Sequence, residues 1–532
     1  MKIVLINPKT PVNAGRDLFD SDIFGPIANG KPFTRMYNGL PLALPTLAAA
    51  TPSSHSVIII DEMIEDIDFD IDCDLIGLTA MTCKASRAYE IAARFRQRNI
   101  PVIMGGIHAS MCPDEVANHV DCVVTGEADE LWPHILNDLE QKRLKKRYQA
   151  ESFPDLDKSP APRHDLSKIG QYTYFTLQTT RGCPHQCHFC TVTKMNGRKI
   201  RKKNPAQVIA EINDCVNLFS PSGFPLIDTK TGKRKTFGGI IFFTDDNFAI
   251  DKNHALAVCK AIKEYLEQSD VVFFWFTQVN YSAGLDHELL GAMRDANCVS
   301  LFMGFESLEK ENLKAMKKSI NDPEMYEAVI KNTRKFGMDV TFSTIIGGDF
   351  DTPETADRII DFIYKNNLYR TLINVMTPYP GTELYEKIQS ENRLFTDNTD
   401  LYNVRNVVYH PATYSPVELQ ETFFYLCEKI YNFNSLSKRL RSNLNQNPRW
   451  RLPLALRPFY FLMQAWAGLV LAIKGRIGFF MLIKFLTYSF KTTIRGYIPE
   501  SLMFAECLDY SAFYKSEKQR LSKVLGRLPV NK

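Results

Sequence analysis

Three cysteines in the run TTRGCPHQCHFC are the residues of this sequence best suited to do chemistry. Cys183, Cys187 and Cys190 follow the spacing CxxxCxxC within one short stretch of the 532-residue chain. A [4Fe–4S] cluster normally takes four thiolate ligands, so three cysteines leave the fourth iron with an open coordination position. The spacing therefore predicts an iron–sulfur cluster at which a further molecule can bind iron.

Two other roles are open to the same cysteines. They could bind a structural zinc ion with His185 or His188 as the fourth ligand, although zinc fingers usually contain two separated ligand pairs and no second pair follows here. They could also form disulfides, but the 12 cysteines of the chain show no paired framework, and the start MKIVLINP lacks the features of a secretory signal. The sequence thus favours a reducing compartment, and we expect the protein in the cytoplasm.

Charge is distributed unevenly along the chain, although the net charge is only +4. Residues 431–532 contain 17 Lys and Arg against 4 Asp and Glu, which leaves a net charge of −9 on residues 1–430. The basic part also contains two apolar runs, at 459–473 and 477–490, with cations between them. Each run is shorter than the about 20 residues of a spanning helix. We therefore expect a helical, basic domain at 411–532 that can lie at the inner face of a membrane, and no nucleic-acid partner. A basic domain packed on the rest of the protein and a transmembrane hairpin are the alternatives.

The first 140 residues alternate short apolar segments with helical stretches. The strand-like segments are KIVLINP, SVIIIDE, LIGLTA, PVIMGG and CVVTGE, and the stretch SRAYEIAARFRQRN has helical spacing. This alternation predicts an α/β domain at 1–140 built on a doubly wound, Rossmann-like parallel sheet. Ligands of such sheets bind at the carboxyl ends of the strands, where Gly105 and Gly106 allow the backbone to approach a large ligand closely.

A second domain is predicted to follow a connector. Residues 141–170 are rich in charge and proline without apolar periodicity, so we expect a linker there. Six strand-like segments then alternate with helical ones between 171 and 410, starting with TYFTLQTT and ending with TLINVMTPYP. Six such units predict a partial (β/α)6 TIM barrel, in which the carboxyl ends of the strands carry the chemistry.

The cysteine run resembles the signature of the radical S-adenosylmethionine (SAM) superfamily in every position. Arg181 and Gly182 lead into the cysteines, and Phe189 immediately precedes Cys190. In the first domain, the strings MGGIHAS, PDE and VDCVVTGEADE resemble a cobalamin (B12)-binding domain placed ahead of a radical SAM domain. The chain thus resembles the B12-binding radical SAM family of class B methyltransferases. This resemblance implies three cofactors: a [4Fe–4S] cluster, SAM and cobalamin.

The resemblance also implies a SAM site at the ends of the barrel strands. It places acceptors for the SAM amino group after the second strand, groups for the ribose or carboxylate after the third and fourth, and the STIIGG backbone beside the adenine. The acidic residue expected after those glycines is displaced, and Asp349, Asp351 and Glu354 are the candidates. The predicted SAM residues are Asp245, Asp246, Asn247, Gln278, Glu306, Ser307 and Gly347.

Cobalamin is expected at the strand-end loops of the first domain. The DxHxxG motif, whose histidine ligates cobalt in many cobalamin enzymes, is missing, so we expect cobalamin to bind without a protein imidazole below the cobalt. His108 is a candidate ligand by residue type, although its place in GGIHAS suggests a packing or cofactor-edge role. The predicted cobalamin residues are Thr79, Thr82, Gly105, Gly106, His108, Gly126 and Glu127.

The resemblance implies radical chemistry in which the cofactors make and break the bonds. An electron from a donor such as flavodoxin or ferredoxin leads to a 5′-deoxyadenosyl radical, and cobalamin supplies a methyl group. We therefore predict a methyltransferase that acts on an unactivated carbon of a hydrophobic lipid or isoprenoid. One alternative is a cyclase or oxidase of a tetrapyrrole or other ring system without methyl transfer, and another is a non-catalytic sensor that carries the same cofactors.

Overall fold

The amino-terminal part of the chain forms a parallel sheet with helices on both faces. The computed structural model describes residues 1–11, 37–443, 450–451 and 453–458, and the single positions 461, 462, 465, 469, 483 and 486. The strands of this part are β1 (Lys2–Asn7), β2 (Tyr37–Gly39), β3 (Ser56–Asp61), β4 (Leu75–Thr79), β5 (Val102–Gly105), β6 (Cys122–Thr125) and β7 (Arg147–Gln149). The helices are α1 (Ala43–Ala49), α2 (Ala85–Gln97), α3 (Gly106–Met111), α4 (Pro113–Val116) and α5 (Trp132–Glu140).

The strand order of this sheet is β3-β1-β4-β5-β6-β7, and all its pairs are parallel. Because side chains alternate along a strand, Val4 and Ile6 of β1 belong to the core that includes α2. Ile3 and Leu5 belong to the opposite core, with α1 and α5. The sheet is therefore doubly wound as predicted, and its parallel strands end at one common edge.

The second part of the chain contains ten strands and ten helices among the residues that the structure describes. The strands are β8 (Tyr172–Leu177), β9 (Thr180–Arg181), β10 (Arg201–Lys202), β11 (Pro225–Asp228), β12 (Arg234–Phe243), β13 (Val271–Val279), β14 (Cys298–Glu306), β15 (Asp339–Ile346), β16 (Thr371–Val375) and β17 (Trp450–Arg451). The helices are α6 (Val192–Met195), α7 (Pro205–Phe219), α8 (Lys252–Gln268), α9 (His287–Asp295), α10 (Lys310–Ala315), α11 (Tyr326–Lys335), α12 (Thr355–Lys365), α13 (Glu383–Ser390), α14 (Pro416–Tyr431) and α15 (Phe433–Asn443).

Six parallel strands form the predicted partial barrel, in the order β8-β12-β13-β14-β15-β16. The strand β11 pairs in antiparallel fashion with the first residues of β12, and β17 pairs in the same way with β11. The strand β2 from the first part of the chain pairs in parallel with β8. Trp275 and Phe273 of β13 are fully buried in one core with Val258 and Ile262 of α8. The helices thus cover the outer face of the sheet, and both predicted α/β units are confirmed.

Two segments are more closely integrated than the sequence indicated. The predicted linker contributes β7, which pairs with β6 at the edge of the first sheet, and its Leu156 and His164 are buried. Burial of these side chains explains why a polar segment is ordered. In the predicted carboxyl-terminal domain, α14 places Leu419 and Phe423 in the barrel core. The beginning of that domain is therefore part of the barrel, while the exact domain boundaries stay predictions.

The basic carboxyl-terminal region falls almost entirely outside the described residues. The apolar runs at 459–473 and 477–490 are described only at single positions, so the membrane contact expected for them stays a prediction. Within the described part of the chain, none of the helices has the length and hydrophobicity needed to span a bilayer.

Candidate functional site

The cysteine loop begins where β9 ends and is held by backbone hydrogen bonds. The amide of Cys183 donates to the carbonyl of Gly197 over 3.1 Å, and the amide of Cys190 donates to the carbonyl of Cys187 over 3.1 Å. Gly182 has a φ of +101°, and a Cβ there would lie 2.4 Å from the carbonyl oxygen of Lys199. Only glycine fits this position, so the loop is held closely against the segment that follows it.

The three thiols are free and half-buried, as three corner ligands of a cluster need to be. Burial raises the pKa of Cys190 to about 12 and also raises the pKa values of Cys183 and Cys187. Thiolates form at such sites when they bind metal, because metal binding releases the thiol proton. The donor set of three thiols on one loop therefore fits the predicted cluster.

The structure argues against His188 as a fourth ligand. Its side chain lies among the charges of Lys387 and Glu383, whereas the charged neighbours of Cys187 are Lys318 and Glu306. Burial lowers the pKa of His188 to about 4. Among the described residues, neither His188 nor the three thiols belong to a group of three or more ligand atoms within 4.8 Å of one another, which disfavours a zinc site that includes His188.

Two aspartates after β12 hold the cysteine loop. Asp245 is fully buried, and its carboxylate accepts hydrogen bonds from the hydroxyls of Thr179 and Thr180 over 2.7 and 2.6 Å and from both amides. Asp246 accepts from the amide of Gly182 over 2.8 Å and from the side chain of Asn196. Both side chains therefore position the loop, while their predicted contact with the SAM amino group stays a prediction.

The ends of β12 and β13 are joined by a third polar side chain. The Oδ1 atom of Asn247 accepts a hydrogen bond from the amide of Asn280 over 3.2 Å. Gln278 is half-buried on the same side of β13 as Phe276, which is the side away from the helices. Of these predicted SAM residues, Gln278 is the one whose side chain is directed into the barrel.

Glu306 forms an ion pair that sequence reasoning missed. Its carboxylate, which is largely buried, accepts a hydrogen bond from Nζ of Lys318, a residue from the loop after α10. Burial opposes the charge on Lys318, but Glu306 and the thiols of Cys187 and Cys190 outweigh it and raise the pKa of Lys318. A cation whose side chain is only 14% exposed therefore lies beside the cysteine loop. No local sequence pattern shows it, because Lys318 stands in a lysine-rich stretch.

Ser307 has a local role. Its hydroxyl accepts a hydrogen bond from the amide of Glu309 over 3.0 Å, which turns the chain after β14. This contact gives Ser307 a structural role in the turn, while its predicted contact with SAM stays a prediction.

The glycine loop after β15 is closed by Asp351. The carboxylate of Asp351 accepts hydrogen bonds from the amides of Gly347 and Gly348 over 2.7 and 3.0 Å and from the side chain of Asn312 over 2.8 Å. Gly347 has a φ of +95°. Of the three candidate acids, Asp351 is thus the one that shapes this loop, whereas Asp349 pairs with Lys387 and Arg393.

The strand-end edge of the first sheet offers a surface suited to a large ligand. Gly106 has a φ of +88°, and a Cβ there would lie 2.4 Å from Oγ1 of Thr79. Gly126 has a φ of +81°, and its amide donates to the hydroxyl of Ser110. Met81, which the sequence analysis did not single out, is 55% exposed at this edge. Closely packed backbone and an exposed apolar side chain fit cobalamin, with Thr79, Gly105, Gly106 and Gly126 as the residues that would hold it.

Two predicted cobalamin residues are buried behind this edge. His108 is fully buried, and its Nε2 atom lies 2.9 Å from the hydroxyl of Tyr89, which in turn donates to Glu115. Thr82 is also buried, in the turn before α2. His108 is therefore held by contacts inside the protein, while its predicted role at cobalamin and the expectation of cobalt without a protein imidazole stay predictions.

Glu127 connects the two parts of the chain, while its predicted contact with cobalamin stays a prediction. Its carboxylate forms ion pairs with Arg181, over 2.5 Å, and with Arg201, and Asp129 pairs with Arg181 over 3.0 Å. The Glu127 side chain is only 5% exposed and that of Arg181 only 12% exposed. We call these four residues the junction cluster. Because Arg181 lies two residues before Cys183, the junction cluster links the strand-end edge of the first sheet to the cysteine loop.

Comparison with known proteins identifies the family. The Radical SAM superfamily matches residues 177–363, and the B12 binding domain matches residues 34–136. The chain is 30% identical over 425 residues to bacteriochlorophyllide d C-8(2)-methyltransferase of Chlorobaculum tepidum, which covers 78% of this chain and 89% of that protein. The chain belongs to the B12-binding radical SAM methyltransferase family. The predicted family, enzyme class and cofactors are thereby confirmed: this methyltransferase uses a [4Fe–4S] cluster, SAM and cobalamin.

Other relatives support the same family and fold. The hopanoid C-2 methylase of Rhodopseudomonas palustris is 27% identical over 376 residues, covering 70% of this chain and 68% of that protein. The structure of TsrM from Kitasatospora setae with cobalamin and a [4Fe–4S] cluster superposes with a TM-score of 0.60 at 14% identity, covering 92% of this chain and 98% of that chain. At this identity the structural likeness shows the fold alone.

The junction cluster generates a stability prediction. Replacing Glu127 with Gln removes the acidic partner of the buried Arg201 and one partner of Arg181, so this B12-binding radical SAM methyltransferase should lose about 3–5 kcal/mol of unfolding free energy. The matched control is Glu130→Gln, at an exposed position three residues away, which should change stability by less than about 0.5 kcal/mol. Urea denaturation of both variants measures the difference, and equal stabilities would contradict the role of the junction cluster.

The glycine loop generates a pH prediction. Burial raises the pKa of Asp351 from 3.8 to about 6, so the folded chain retains a proton that the unfolded chain has released. This stabilisation is full below about pH 4 and is lost as the pH rises through 6. Between pH 7.5 and pH 5, wild type should gain about 1–1.5 kcal/mol that the Asp351→Asn variant does not gain.

The matched control for this experiment is Asp349→Asn. Burial acts to raise the pKa of Asp349, but its ion pairs with Lys387 and Arg393 outweigh that effect and lower it, so Asp349 stays ionised at both pH values. This variant should keep the wild-type pH dependence in urea denaturation. If Asp351→Asn gained as much unfolding free energy as wild type between pH 7.5 and pH 5, Asp351 would not titrate in this range.

Proposed function

We propose that this methyltransferase transfers a methyl group to an unactivated carbon of a hydrophobic, ring-bearing substrate. The observation that carries the proposal is an aromatic wall inside the barrel, formed by Tyr174, Phe242 and Phe276. The rings of Phe242 and Phe276 stack with centroids 4.6 Å apart, and Tyr174 meets Phe276 edge-on at 5.1 Å. All three side chains are half-buried and lie on the strand face away from the helices.

The position of the aromatic wall supports a role in substrate binding. Because side chains alternate along a strand, Phe276 and Gln278 share one face of β13, so the wall is continuous with the polar end of that strand. Flat aromatic surfaces favour apolar and planar partners, since they bury large areas and stack on other rings. The wall thus suits a hydrophobic ring system better than a charged substrate.

The residues of this chain provide position and exclusion of water, while the bound cofactors supply the radical and the methyl group. Asp245 and Asp246 hold the cysteine loop, Asp351 shapes the glycine loop, and the junction cluster ties the loop to the cobalamin edge. No protein acid or base is required for a hydrogen atom to leave an unactivated carbon as part of a radical step. The carboxylates described above at the barrel mouth all make contacts within the protein, which is compatible with a reaction that needs no protein acid or base.

Two substrate classes satisfy this chemistry. The relatives named above act on a bacteriochlorophyllide, which is a tetrapyrrole, and on a hopanoid, which is a polycyclic isoprenoid. We favour a substrate of one of these two kinds, because both present large apolar ring systems to the aromatic wall. Relatives that are methyltransferases also favour methyl transfer over the cyclase and sensor alternatives.

Anaerobic assays with methyl-deuterated SAM test the proposal. Incubation with a bacteriochlorophyllide in one arm and a hopanoid in the other should give one product that carries the deuterated methyl group, together with 5′-deoxyadenosine. The Cys187→Ala variant should lose both products because its cluster lacks a ligand, whereas Cys73→Ala, at a half-buried cysteine outside the loop, should retain them. Formation of 5′-deoxyadenosine with labelled methyl on neither ring class would refute the substrate proposal.

A further inference from the structure

The cysteine loop and the segment after it form a strongly basic stretch. Residues 182–203 contain six Lys and Arg and no Asp or Glu, although residues 1–430 as a whole carry a net charge of −9. Three of the six cations are neutralised by ion pairs within the protein. These pairs are Arg201 with Glu127, Lys202 with Asp251, and Lys203 with Glu211.

The other three cations are exposed and form a basic rim, which we define as Lys194, Arg198 and Lys199. Among the acidic side chains that the structure describes, none makes an ion pair with any of the three. An exposed, uncompensated positive region on an otherwise acidic body creates a local field that attracts an acidic partner.

The basic rim lies directly against the cysteine loop. The guanidinium of Arg198 donates to the carbonyl of Pro184 over 3.4 Å, and the carbonyl oxygen of Lys199 approaches Gly182. Gln186, between Cys183 and Cys187, is exposed. The loop that binds the cluster therefore reaches the protein surface at the basic rim.

An apolar side chain adjoins the basic rim. Phe153 is 47% exposed, and a Cβ on Gly197 would lie 2.6 Å from its ring. The guanidinium of Arg201 lies 4.8 Å from the centroid of the Phe153 ring. Protein–protein interfaces place aromatic residues at their centre and polar or charged residues at their rim. Phe153 and the cations beside it have this arrangement.

On the opposite side of the loop, a neighbouring lysine is neutralised by an ion pair. The amide of His188 donates to the carbonyl of Met316, and the neighbouring Lys317 pairs with Glu383 over 2.5 Å. Lys317 therefore differs from the three cations of the basic rim, for which the described residues provide no ion pair.

We propose that the basic rim and Phe153 form the docking surface for an acidic one-electron carrier protein of the flavodoxin or ferredoxin type. The transfer moves one electron from the reduced carrier to the cluster and moves no atom, so the carrier is oxidised by one electron. Radical SAM enzymes need a reductant, and an acidic carrier protein is the reductant that suits this basic surface. Anionic lipid and nucleic acid could also bind a basic surface, but neither would explain why this surface lies beside the loop that binds the cluster.

The test compares two reductants on one charge-reversal variant. In Lys194→Glu/Lys199→Glu, Arg198 is kept because it contacts the loop. With limiting reduced flavodoxin at low salt, this variant should form 5′-deoxyadenosine from SAM about tenfold or more slowly than wild type, because electrostatic steering is reversed. With reduced methyl viologen, a small cation that needs no docking surface, its rate should not fall.

The matched control reverses two exposed charges elsewhere. Lys260→Glu/Lys263→Glu makes the same change in net charge on the solvent face of α8 and should retain the wild-type rate with both reductants. The readout is SAM cleavage, so the result does not depend on which substrate the enzyme methylates.

Three results would overturn the proposal. An unchanged rate with flavodoxin would show that the carrier docks elsewhere, and an equal loss in the α8 control would show an effect of net charge alone. An equal loss with methyl viologen would show damage to the cluster site. If the Lys194→Glu/Lys199→Glu variant kept the wild-type rate with flavodoxin but no longer bound vesicles of anionic lipid, the basic rim would be a membrane contact instead.

Discussion

The buried charges between the two halves of the chain are the constraint on which the rest of the site depends. Cobalamin and the iron–sulfur cluster are expected on different folding units, the first at the edge of a doubly wound sheet and the second at the mouth of a partial barrel. Glu127 follows a strand of the sheet, and Arg181 precedes the cysteines of the barrel. Four charges that are removed from water are stable only when they pair with each other, so this contact tolerates little displacement.

The same logic extends from the junction cluster into the barrel. Asp246 accepts from the amide of Gly182, and Asp245 accepts from Thr179 and Thr180, so the residues just before the cysteines are held on both sides. Carboxylates that accept several backbone hydrogen bonds rigidify a loop more than apolar contacts do, because each bond fixes a direction. Polar groups at the strand ends thus serve first to shape the loops that meet the cofactors.

The sequence predicted the architecture well because the signals for it are local. Apolar alternation identified both parallel sheets, and the spacing of Cys183, Cys187 and Cys190 marks the loop that is predicted to bind the cluster. Side-chain roles were harder to predict, because they depend on partners far away in the chain. Asp245 and Glu127 stand at strand ends where ligands usually bind, yet their partners lie 65 and 54 positions away. The contribution of Lys318 was missed for the same reason, since its partners become neighbours only in the folded barrel.

The most direct test of this account is the magnetic coupling between the two metal centres in the reduced holoenzyme. Pulsed electron paramagnetic resonance measures the dipolar interaction between cob(II)alamin and the reduced cluster. If the junction cluster sets their separation, wild type should show one well-defined coupling, and the Glu127→Gln variant with both cofactors bound should show a weaker or broader one. An identical, sharp coupling in both proteins would contradict the claim that these buried charges hold the two sites together.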